Sequence, residues 1–222
     1  MCSEEEKKFV EYLKQFVTDN KKNKFKEVLE WRTRHIAVVL EDIYQPLNAS
    51  AIIRSCDCFG IQDLHVVENV NRFKDTQGVS RGAFKWVNVE RHTSLDDAVK
   101  FFKKNKYSLV VTSPAAKKSI CDLPLNNKVA LAFGTEWTGA SDELIEKADD
   151  LVSIPMCGFT ESFNVSVSVA LCLYELTSRL HKSDIKWRLT ENEKQGMIFQ
   201  WLKAVVKDPE KYKKYFNKKS EK

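Results

Sequence analysis

The sequence predicts an α/β fold, with a mainly parallel sheet flanked by helices. Three observations support this prediction. Short strand-like runs alternate with helical segments between about residues 35 and 180, which is the pattern of a parallel sheet. The 222 residues are enough to bury a full core. The hydrophobic content of 43% and the aromatic content of 11% are those of an ordinary globular protein, and no repeat or low-complexity segment is present.

The first 34 residues show the pattern of an N-terminal helical extension. Apolar side chains recur at helical spacing in residues 4–19 and again in residues 24–32. We therefore expect two short helices in residues 1–34. The apolar positions are Phe9, Val10, Leu13, Phe16, Val17, Phe25, Val28, Leu29 and Trp31.

Residues 35–180 carry the alternating pattern and are predicted to form the central domain. Ser94 and Asp97 stand at capping-box spacing at the start of one of its helices. Strands are predicted at HIAVVLE (35–41), DLHVVE (63–68), WVNVERH (86–92), YSLVVTS (107–113), VALAFG (129–134) and LVSIP (151–155), and helices at ASAIIRSCDCFG (49–60), SLDDAVKFFKKN (94–105) and SDELIEKAD (141–149).

The stretch GFTESFNVSVSVALCLYEL (158–176) gives two conflicting signals. Its segment VSVSV alternates apolar and polar residues like a half-buried strand, yet the run continues without Gly or Pro to Arg179. Strands average about five or six residues and helices about twice that. Length therefore favours a buried apolar helix, preceded by a polar cluster of Glu161, Ser162 and Asn164.

Residues 181–222 are predicted to form a basic C-terminal extension of two amphipathic helices. Thr190 and Glu193 suit a capping box, and Asp208 followed by Pro209 suits the start of the second helix. The aromatic side chains among its lysines either pack on the protein or stack on bases, and packing is the commoner role. These aromatic residues are Trp201, Tyr212, Tyr215 and Phe216.

The positive charge of the chain is concentrated at the C-terminus. Residues 179–222 hold 13 Lys and Arg against 6 Asp and Glu, a net +7, whereas residues 1–178 hold 23 against 25, a net −2. Such a segment attracts a phosphate backbone, although a solvated helix face has the same composition.

The lengths of the apolar segments argue against a membrane-spanning protein and against a secreted one. No apolar run approaches the roughly 18 residues of a membrane span, and the N-terminal pattern lacks the apolar core of a signal peptide. We therefore expect a cytoplasmic protein without a membrane partner.

The six cysteines show no spacing typical of zinc sites or disulfides, so reduced and mostly buried thiols are expected, with no metal.

Polar residues follow three of the predicted strands, where ligands bind in open α/β sheets. The first stretch contains Asn48 and Arg54, the second contains Gly134 and Glu136, and the third contains Ser162 and Asn164. Each has an ordinary structural alternative: Asn48 could cap a helix, Arg54 could be a surface cation, and Gly134 could serve a turn.

Together the three stretches resemble, in order, the three motifs of the SpoU (TrmH-like) RNA 2′-O-methyltransferases of the SPOUT class. NASAIIRSCDCFG is similar to the first motif, FGTEWTGAS to the second with its G-x-E-x-x-G core, and IPMCGFTESFNVSVSVAL to the third. The resemblance runs from about residue 36 to 180. It departs at Phe163, usually Leu, and at Thr135, usually Asn or Gln.

The resemblance implies a deep trefoil knot built around the ESFN loop, with the following helix serving as core and as the interface of a homodimer. It implies that the knot binds S-adenosylmethionine. The cofactor residues carried over by position are Thr112, Gly134, Glu136, Ile154, Met156, Ser162, Phe163 and Val165.

The resemblance also implies the catalytic residues. Arg54 of one subunit is expected near the cofactor of the other, where it orients the ribose hydroxyl and an RNA phosphate, because a guanidinium stays protonated and is a poor base. Asn48 would position Arg54 or the ribose, Glu136 would hold the catalytic loop, and Ser162 and Asn164 would fix the substrate and the knot backbone. No histidine lies in the three motifs.

Within the family, helical extensions on both sides of the domain resemble the tRNA enzymes that methylate the D-loop guanosine at position 18. The alternatives are a ribosomal RNA enzyme, a wobble-position tRNA enzyme, or a non-catalytic RNA-binding relative. A dinucleotide-dependent dehydrogenase is disfavoured, because no G-x-G-x-x-G follows the first strand.

Overall fold

The structure is a computed structural model that describes residues 4–70, 72–73 and 82–220. The chain divides into two compact units. One is the α/β unit, Thr33–Trp187, and the other is the helical unit, which combines the residues up to Arg32 with those from Arg188 onward. None of the helices in the described ranges has the length and apolarity that crossing a membrane requires.

The α/β unit is built on a parallel sheet in which seven described strands lie in the order β3-β2-β1-β6-β4-β7-β5. Every pairing between neighbouring strands is parallel. The predicted fold class is confirmed in its sheet and helices, whereas the knot stays a prediction. The strands are β1 Ile36–Glu41, β2 Asp63–Val67, β3 Asn88–His92, β4 Tyr107–Thr112, β5 Lys118–Ser119, β6 Lys128–Phe133 and β7 Asp150–Ser153.

Helices account for the rest of the regular structure. In chain order the described α-helices are α1 Glu4–Lys14, α2 Asp19–Leu29, α3 Pro46–Cys58, α4 Leu95–Lys104, α5 Asp142–Glu146, α6 Val165–His181, α7 Glu191–Val205 and α8 Pro209–Ser220, and two short 3₁₀ helices span Ala83–Lys85 and Ile120–Asp122. The stretch whose pattern was ambiguous is thus a helix of 17 residues, as its length predicts.

The sheet is covered on both faces, and this explains why β1 is buried along its whole length. Successive side chains of a strand point to opposite faces. Ile36, Val38 and Leu40 therefore enter a core with the apolar residues of α3 and α6. Ala37 and Val39 enter a second core with α4 and α5.

Several boundaries differ from the predictions, each for a local reason. Helix α3 begins at Pro46, which is suited to a first helical position, so Asn48 lies inside the first turn and Gln45 is the N-cap. The first helix ends at Lys14 and a second begins after Thr18, whose side chain caps it. Strand β5, only two residues long, was not predicted.

The two predicted capping boxes have different outcomes. The box at Thr190 and Glu193 is complete. Ser94 accepts a hydrogen bond from the Asp97 backbone at 3.2 Å, but the Asp97 carboxylate accepts from His92 Nδ1 instead of closing a box. His92, five residues earlier in the chain, thus takes the carboxylate that the local pattern assigned to the helix end.

The prediction that the thiols are mostly buried is wrong. Cys56 and Cys172 are buried, but Cys58, Cys121 and Cys157 are exposed, and all five are free. Cys157 lies in an open loop, Cys121 in a short turn, and Cys58 at the outer side of the end of α3. Apolar sequence neighbours do not bury a side chain that points away from the core.

In the helical unit, the two ends of the chain pack against each other. Phe9 of α1 lies 5.3 Å from Phe216 of α8 between ring centroids, and Phe16 lies 4.2 Å from Tyr212. Trp201 of α7 is buried and packs edge-to-face on Phe25. The two ends of the chain, which the sequence presents separately, thus share one compact unit, although residues 33–34 and 181–187 of the predicted extensions belong to the α/β unit.

Candidate active site

A cavity of about 530 Å³ opens at the carboxyl ends of β4, β6 and β7. Three loops form its walls: residues 112–114, 134–140 and 154–165. All eight residues predicted to bind a cofactor line it, namely Thr112, Gly134, Glu136, Ile154, Met156, Ser162, Phe163 and Val165. Trp137, Glu161 and Ser168 also line the cavity and were not among the predicted cofactor residues, although all three lie inside the motif stretches.

The loop that follows β6 is held in one tight conformation. Thr135 and Gly139 exchange backbone hydrogen bonds of 2.9 and 3.2 Å, and Gly139 has a φ of +73°, which favours glycine. A Cβ atom on Gly134 would lie 2.1 Å from the backbone of Gly139 and Ala140. Gly134 is therefore required for the close approach of two backbone segments.

The carboxylate of Glu136 anchors this loop to the start of α3. Its oxygens accept hydrogen bonds from the backbone N–H groups of Tyr44 (3.2 Å) and Gln45 (3.1 Å), and from the side-chain amide of Asn48 (2.9 Å). The first turn of a helix has unpaired N–H groups, and these favour a negative charge. Glu136 thus acts as a structural anchor that keeps the loop on α3.

The pKa of Glu136 is lowered from its ordinary value. Burial by itself would raise this pKa, but the hydrogen bonds from Asn48 and from the backbone of Glu136, Tyr44 and Gln45 favour the charged form and outweigh it. A carboxylate held in this way is ionised at neutral pH and is badly suited to accept a proton.

Asn48 joins the second motif to the third. It is buried, and its side-chain oxygen accepts a hydrogen bond of 3.2 Å from the amide of Asn164. Asn164 is the N-cap of α6, where its own oxygen accepts from the backbone N–H of Ser166 at 2.8 Å. One chain of hydrogen bonds therefore links Glu136, Asn48 and Asn164, and with them all three motifs.

Arg54 lies outside this arrangement. It is exposed on α3, six residues beyond Asn48, which places it on a different face of the helix. It does not line the cavity, and within the described ranges Asn48 bonds to Gln45, Glu136 and Asn164 and not to Arg54. The fold brings together four of the five predicted catalytic residues: Asn48, Glu136, Ser162 and Asn164.

The lining suits a small organic cofactor with both polar and apolar parts. Its volume is within the usual range for such pockets. Thr112, whose hydroxyl donates to the Ala132 carbonyl at 3.0 Å, and Ser162 supply hydroxyl groups, while Ile154 and Phe163 supply apolar surface. Within the described part of the chain, no three His, Cys, Asp or Glu side chains converge as metal ligands would.

Comparison with known proteins gives a family match over most of the chain. Residues 35–174 match the sequence profile of the SpoU rRNA Methylase family. This segment contains the cavity, the hydrogen-bonded chain from Glu136 to Asn164, and Arg54.

Similar full-length proteins extend this match. The tRNA (guanosine(18)-2′-O)-methyltransferase of Borreliella burgdorferi is 42% identical over 197 residues, or 88% of this chain and 90% of that protein. The protein with the same name from Thermus thermophilus is 31% identical over 84% of this chain and 97% of its own. The crystal structure of an A. aeolicus TrmH/SpoU tRNA modifying enzyme superposes with a TM-score of 0.76 and 29% identity, covering 85% of this chain and 98% of that one.

Proposed function

The chain belongs to the SpoU methylase family, and on that basis we propose that it methylates the ribose 2′-hydroxyl of guanosine 18 in the D-loop of tRNA, with S-adenosylmethionine as the methyl donor. The observation that carries the proposal is the hydrogen-bonded chain that joins Glu136, Asn48 and Asn164 at the wall of a cofactor-sized cavity. These residues come from all three motifs of the family.

The choice of tRNA over ribosomal RNA rests on the terminal helices. The family profile covers residues 35–174, but the alignments with the tRNA enzymes of B. burgdorferi and T. thermophilus reach 88% and 84% of this chain. The shared sequence therefore includes part of the helical unit. A ribosomal RNA enzyme and a wobble-position tRNA enzyme remain the alternatives that the experiment below separates.

The cavity fits S-adenosylmethionine by its chemistry. The cofactor carries an adenine, a ribose, a cationic sulfonium and an amino acid, and the lining offers apolar side chains, hydroxyl groups and the carboxylate of Glu161. Thr112, Ile154, Met156, Phe163 and Val165 would hold it together with the backbone of the loop at Gly134. When bound, it supplies the methyl group.

The residues of the chain then have separate tasks. Arg54 orients the 2′-hydroxyl and a neighbouring RNA phosphate, since a guanidinium offers a planar fork of donors and keeps its proton. That phosphate would help to accept the proton that the hydroxyl loses when it takes the methyl group. Glu136 holds the cofactor loop, Asn48 and Asn164 fix that loop to α3 and α6, and Ser162 positions the substrate. The rate enhancement comes largely from proximity and orientation of the two bound reactants.

A homodimer completes the site in this proposal. Arg54 lies outside the cavity of its own chain, so it would serve the cavity of the partner. Helix α6 supports this, because Val167, Leu171 and Tyr174 form one exposed stripe, 44%, 40% and 64% accessible, on a helix whose other face is buried.

The proposal includes the trefoil knot, since the loops 134–140 and 154–165 that it would intertwine line one cavity.

The helical unit is the proposed contact surface for tRNA. Residues 1–32 and 188–222 contain 18 Lys and Arg against 12 Asp and Glu, a net +6, whereas residues 33–187 contain 18 against 19, a net −1. A phosphate backbone is attracted to the positive unit. The proposal includes a cytoplasmic location, which is compatible with this substrate.

The test is methyl transfer from labelled S-adenosylmethionine to tRNA transcripts that carry either guanosine or 2′-deoxyguanosine at position 18. We expect label on the first and none on the second, because only the first has the acceptor oxygen. Equal labelling of both would move the target to another nucleotide. Label on ribosomal RNA alone would favour that alternative, and no transfer to any RNA would favour a non-catalytic relative.

A further inference from the structure

Two large exposed aromatic side chains belong to residues connected to Glu136. Trp137 is 84% accessible and lines the cavity, and Tyr44 is 65% accessible on the loop between β1 and α3. The two belong to different loops, but the Glu136 carboxylate joins them, because Trp137 follows it in sequence and Tyr44 donates its backbone N–H to it at 3.2 Å. Both rings therefore offer a flat apolar face to a ligand that approaches Glu136 from solvent.

Hydrogen bonds within the protein hold the backbone of both loops that carry these rings. The turn that carries Trp137 is closed by the two backbone bonds between Thr135 and Gly139 and by a 2.8 Å bond between the hydroxyls of Thr135 and Thr138. The residue after Tyr44, Gln45, is held by Glu136 as well. A ligand that contacts these rings therefore loses little affinity to ordering of the loops.

We propose that Trp137 and Tyr44 form a stacking platform for nucleobases of the RNA substrate next to the target ribose; this inference rests on the proposed function. The target ribose lies in a loop of the proposed substrate, and unstacked bases of RNA loops are bound by stacking on aromatic side chains. Stacking reads the flat face of any base, so this platform positions the nucleotide and does not select it.

The cofactor is a less suitable occupant of these rings. Trp137 is 84% accessible and so lies at the rim of the cavity, and Tyr44 does not line it. Phe163, by contrast, is 43% accessible and lines the same cavity, so it is the aromatic side chain placed for the cofactor. A ligand that covers Trp137 and Tyr44 approaches from the solvent side, where the RNA must enter.

The experiment compares the full-length wild type with the variants Trp137→Ala, Tyr44→Ala, Trp137→Phe and Tyr44→Phe. Dissociation constants are measured for a tRNA transcript and for S-adenosylmethionine, and the tRNA titrations are repeated at several salt concentrations. Two short single-stranded RNAs of equal length, one normal and one without bases, separate stacking from phosphate attraction. Sedimentation and thermal melting report assembly and folding of each variant.

Each alanine variant should bind tRNA roughly 5- to 150-fold more weakly, the equivalent of about 1–3 kcal/mol for one stacked base. The salt slope of binding and the affinity for S-adenosylmethionine should not change, the phenylalanine variants should bind within a few-fold of wild type, and the oligomer without bases should not distinguish the proteins.

Equal tRNA binding by the wild type and both alanine variants would overturn the platform. A reduced affinity for S-adenosylmethionine would also overturn it, because the rings would then contact the cofactor. A changed oligomeric state would overturn it as well, because the rings would then contact the partner subunit. The platform and the proposed function fail separately. Wild-type protein that binds tRNA without methylating position 18 refutes the function alone, whereas unchanged binding by active alanine variants refutes the platform alone.

Discussion

The side-chain amide of Asn48 donates a 2.9 Å hydrogen bond to the carboxylate of Glu136, a residue 88 positions later in the chain. The same Asn48 accepts from Asn164 at 3.2 Å. This single buried amide therefore holds the loop after β6, the start of α3 and the start of α6 in one arrangement.

Replacement of Glu136 by Gln should weaken cofactor binding and methyl transfer. A Gln side chain keeps the shape but offers one acceptor oxygen to three N–H donors, so at least one of them loses its partner. Hydrogen bonds to charged groups contribute about 1.5–3 kcal/mol each, which corresponds to roughly a 10- to 150-fold lower affinity for S-adenosylmethionine. Calorimetric titration measures the affinity for S-adenosylmethionine. An unchanged affinity would show that the Glu136 carboxylate is not needed for cofactor binding.

The same carboxylate gives an expected pH dependence. The pKa of Glu136 is lowered in the folded protein, so the unfolded state binds more protons as the pH falls towards the folded pKa. The stabilisation is present above the unfolded pKa and is lost in the acidic range. The free energy of unfolding of the wild type, measured by denaturant unfolding at several pH values, should therefore decrease on acidification below about pH 4.5, and Glu136→Gln should lack this component.

Two glycine substitutions should have opposite effects. Gly134→Ala would place a Cβ 2.1 Å from backbone atoms of residues 139 and 140, so the loop must shift and both stability and cofactor binding should decrease. Gly196→Ala, inside α7, meets no atom within 4 Å and should stabilise the fold by about 1 kcal/mol, the difference in helix propensity. Denaturant unfolding of both variants checks this, and equal stability would contradict it.

His65 should make the fold less stable in mild acid. It is buried between Phe101 and Phe102, and its Nδ1 lies 3.0 Å from His92 Nε2. Burial, and secondarily the charge of His92, lowers the pKa of His65 to about 3. Between the unfolded value near 6.5 and this value the unfolded chain binds the extra proton, so the free energy of unfolding falls as pH decreases, by up to about 1.4 kcal/mol per unit.

The matched variant for this prediction is His65→Asn, which keeps a donor near the position of Nδ1 but cannot titrate. Its free energy of unfolding, measured from pH 7 to pH 4, should decline less steeply than that of the wild type. Parallel curves would mean that His65 contributes nothing to the acid sensitivity.

Arg54 and Asn164 should complement each other across subunits. Arg54→Ala should keep cofactor affinity and lose methyl transfer, and Asn164→Ala should lose the site on its own chain. A mixed dimer then has one intact site, with Arg54 from one subunit and the cavity from the other, so random mixing should restore about a quarter of wild-type activity. Absence of any recovery in verified mixed dimers, or a monomer in sedimentation, would refute the shared site.

Replacing lysines on α8 and just before its first residue by uncharged side chains should test whether the helical unit binds RNA phosphates. Lys207, Lys211 and Lys213 are exposed, and replacing all three by Gln should flatten the salt dependence of tRNA binding by up to about 0.9 in slope for each phosphate that the protein no longer neutralises. The control triple variant replaces Lys100, Lys103 and Lys104 on α4 and should keep the wild-type slope. Equal slopes in the two variants would place the phosphate-binding residues elsewhere.

The sequence by itself determined the regular elements and the motif residues. The alternating pattern predicts six of the seven described strands, and length alone identifies α6 as a helix, because these signals are local and repeat along the segment. The eight cofactor positions were carried over from the family resemblance, seven of them within its motifs, and all of them line one cavity.

Only the tertiary structure decided how distant side chains are used. Asn48 could have capped a helix by local rules, but its partners include Glu136 and Asn164, 88 and 116 positions later in the chain. The terminal segments pack on each other through Phe9 and Phe216, which lie at opposite ends of the chain. Such choices depend on which groups the folded backbone brings within hydrogen-bond or packing distance, and no local period in the sequence encodes that distance.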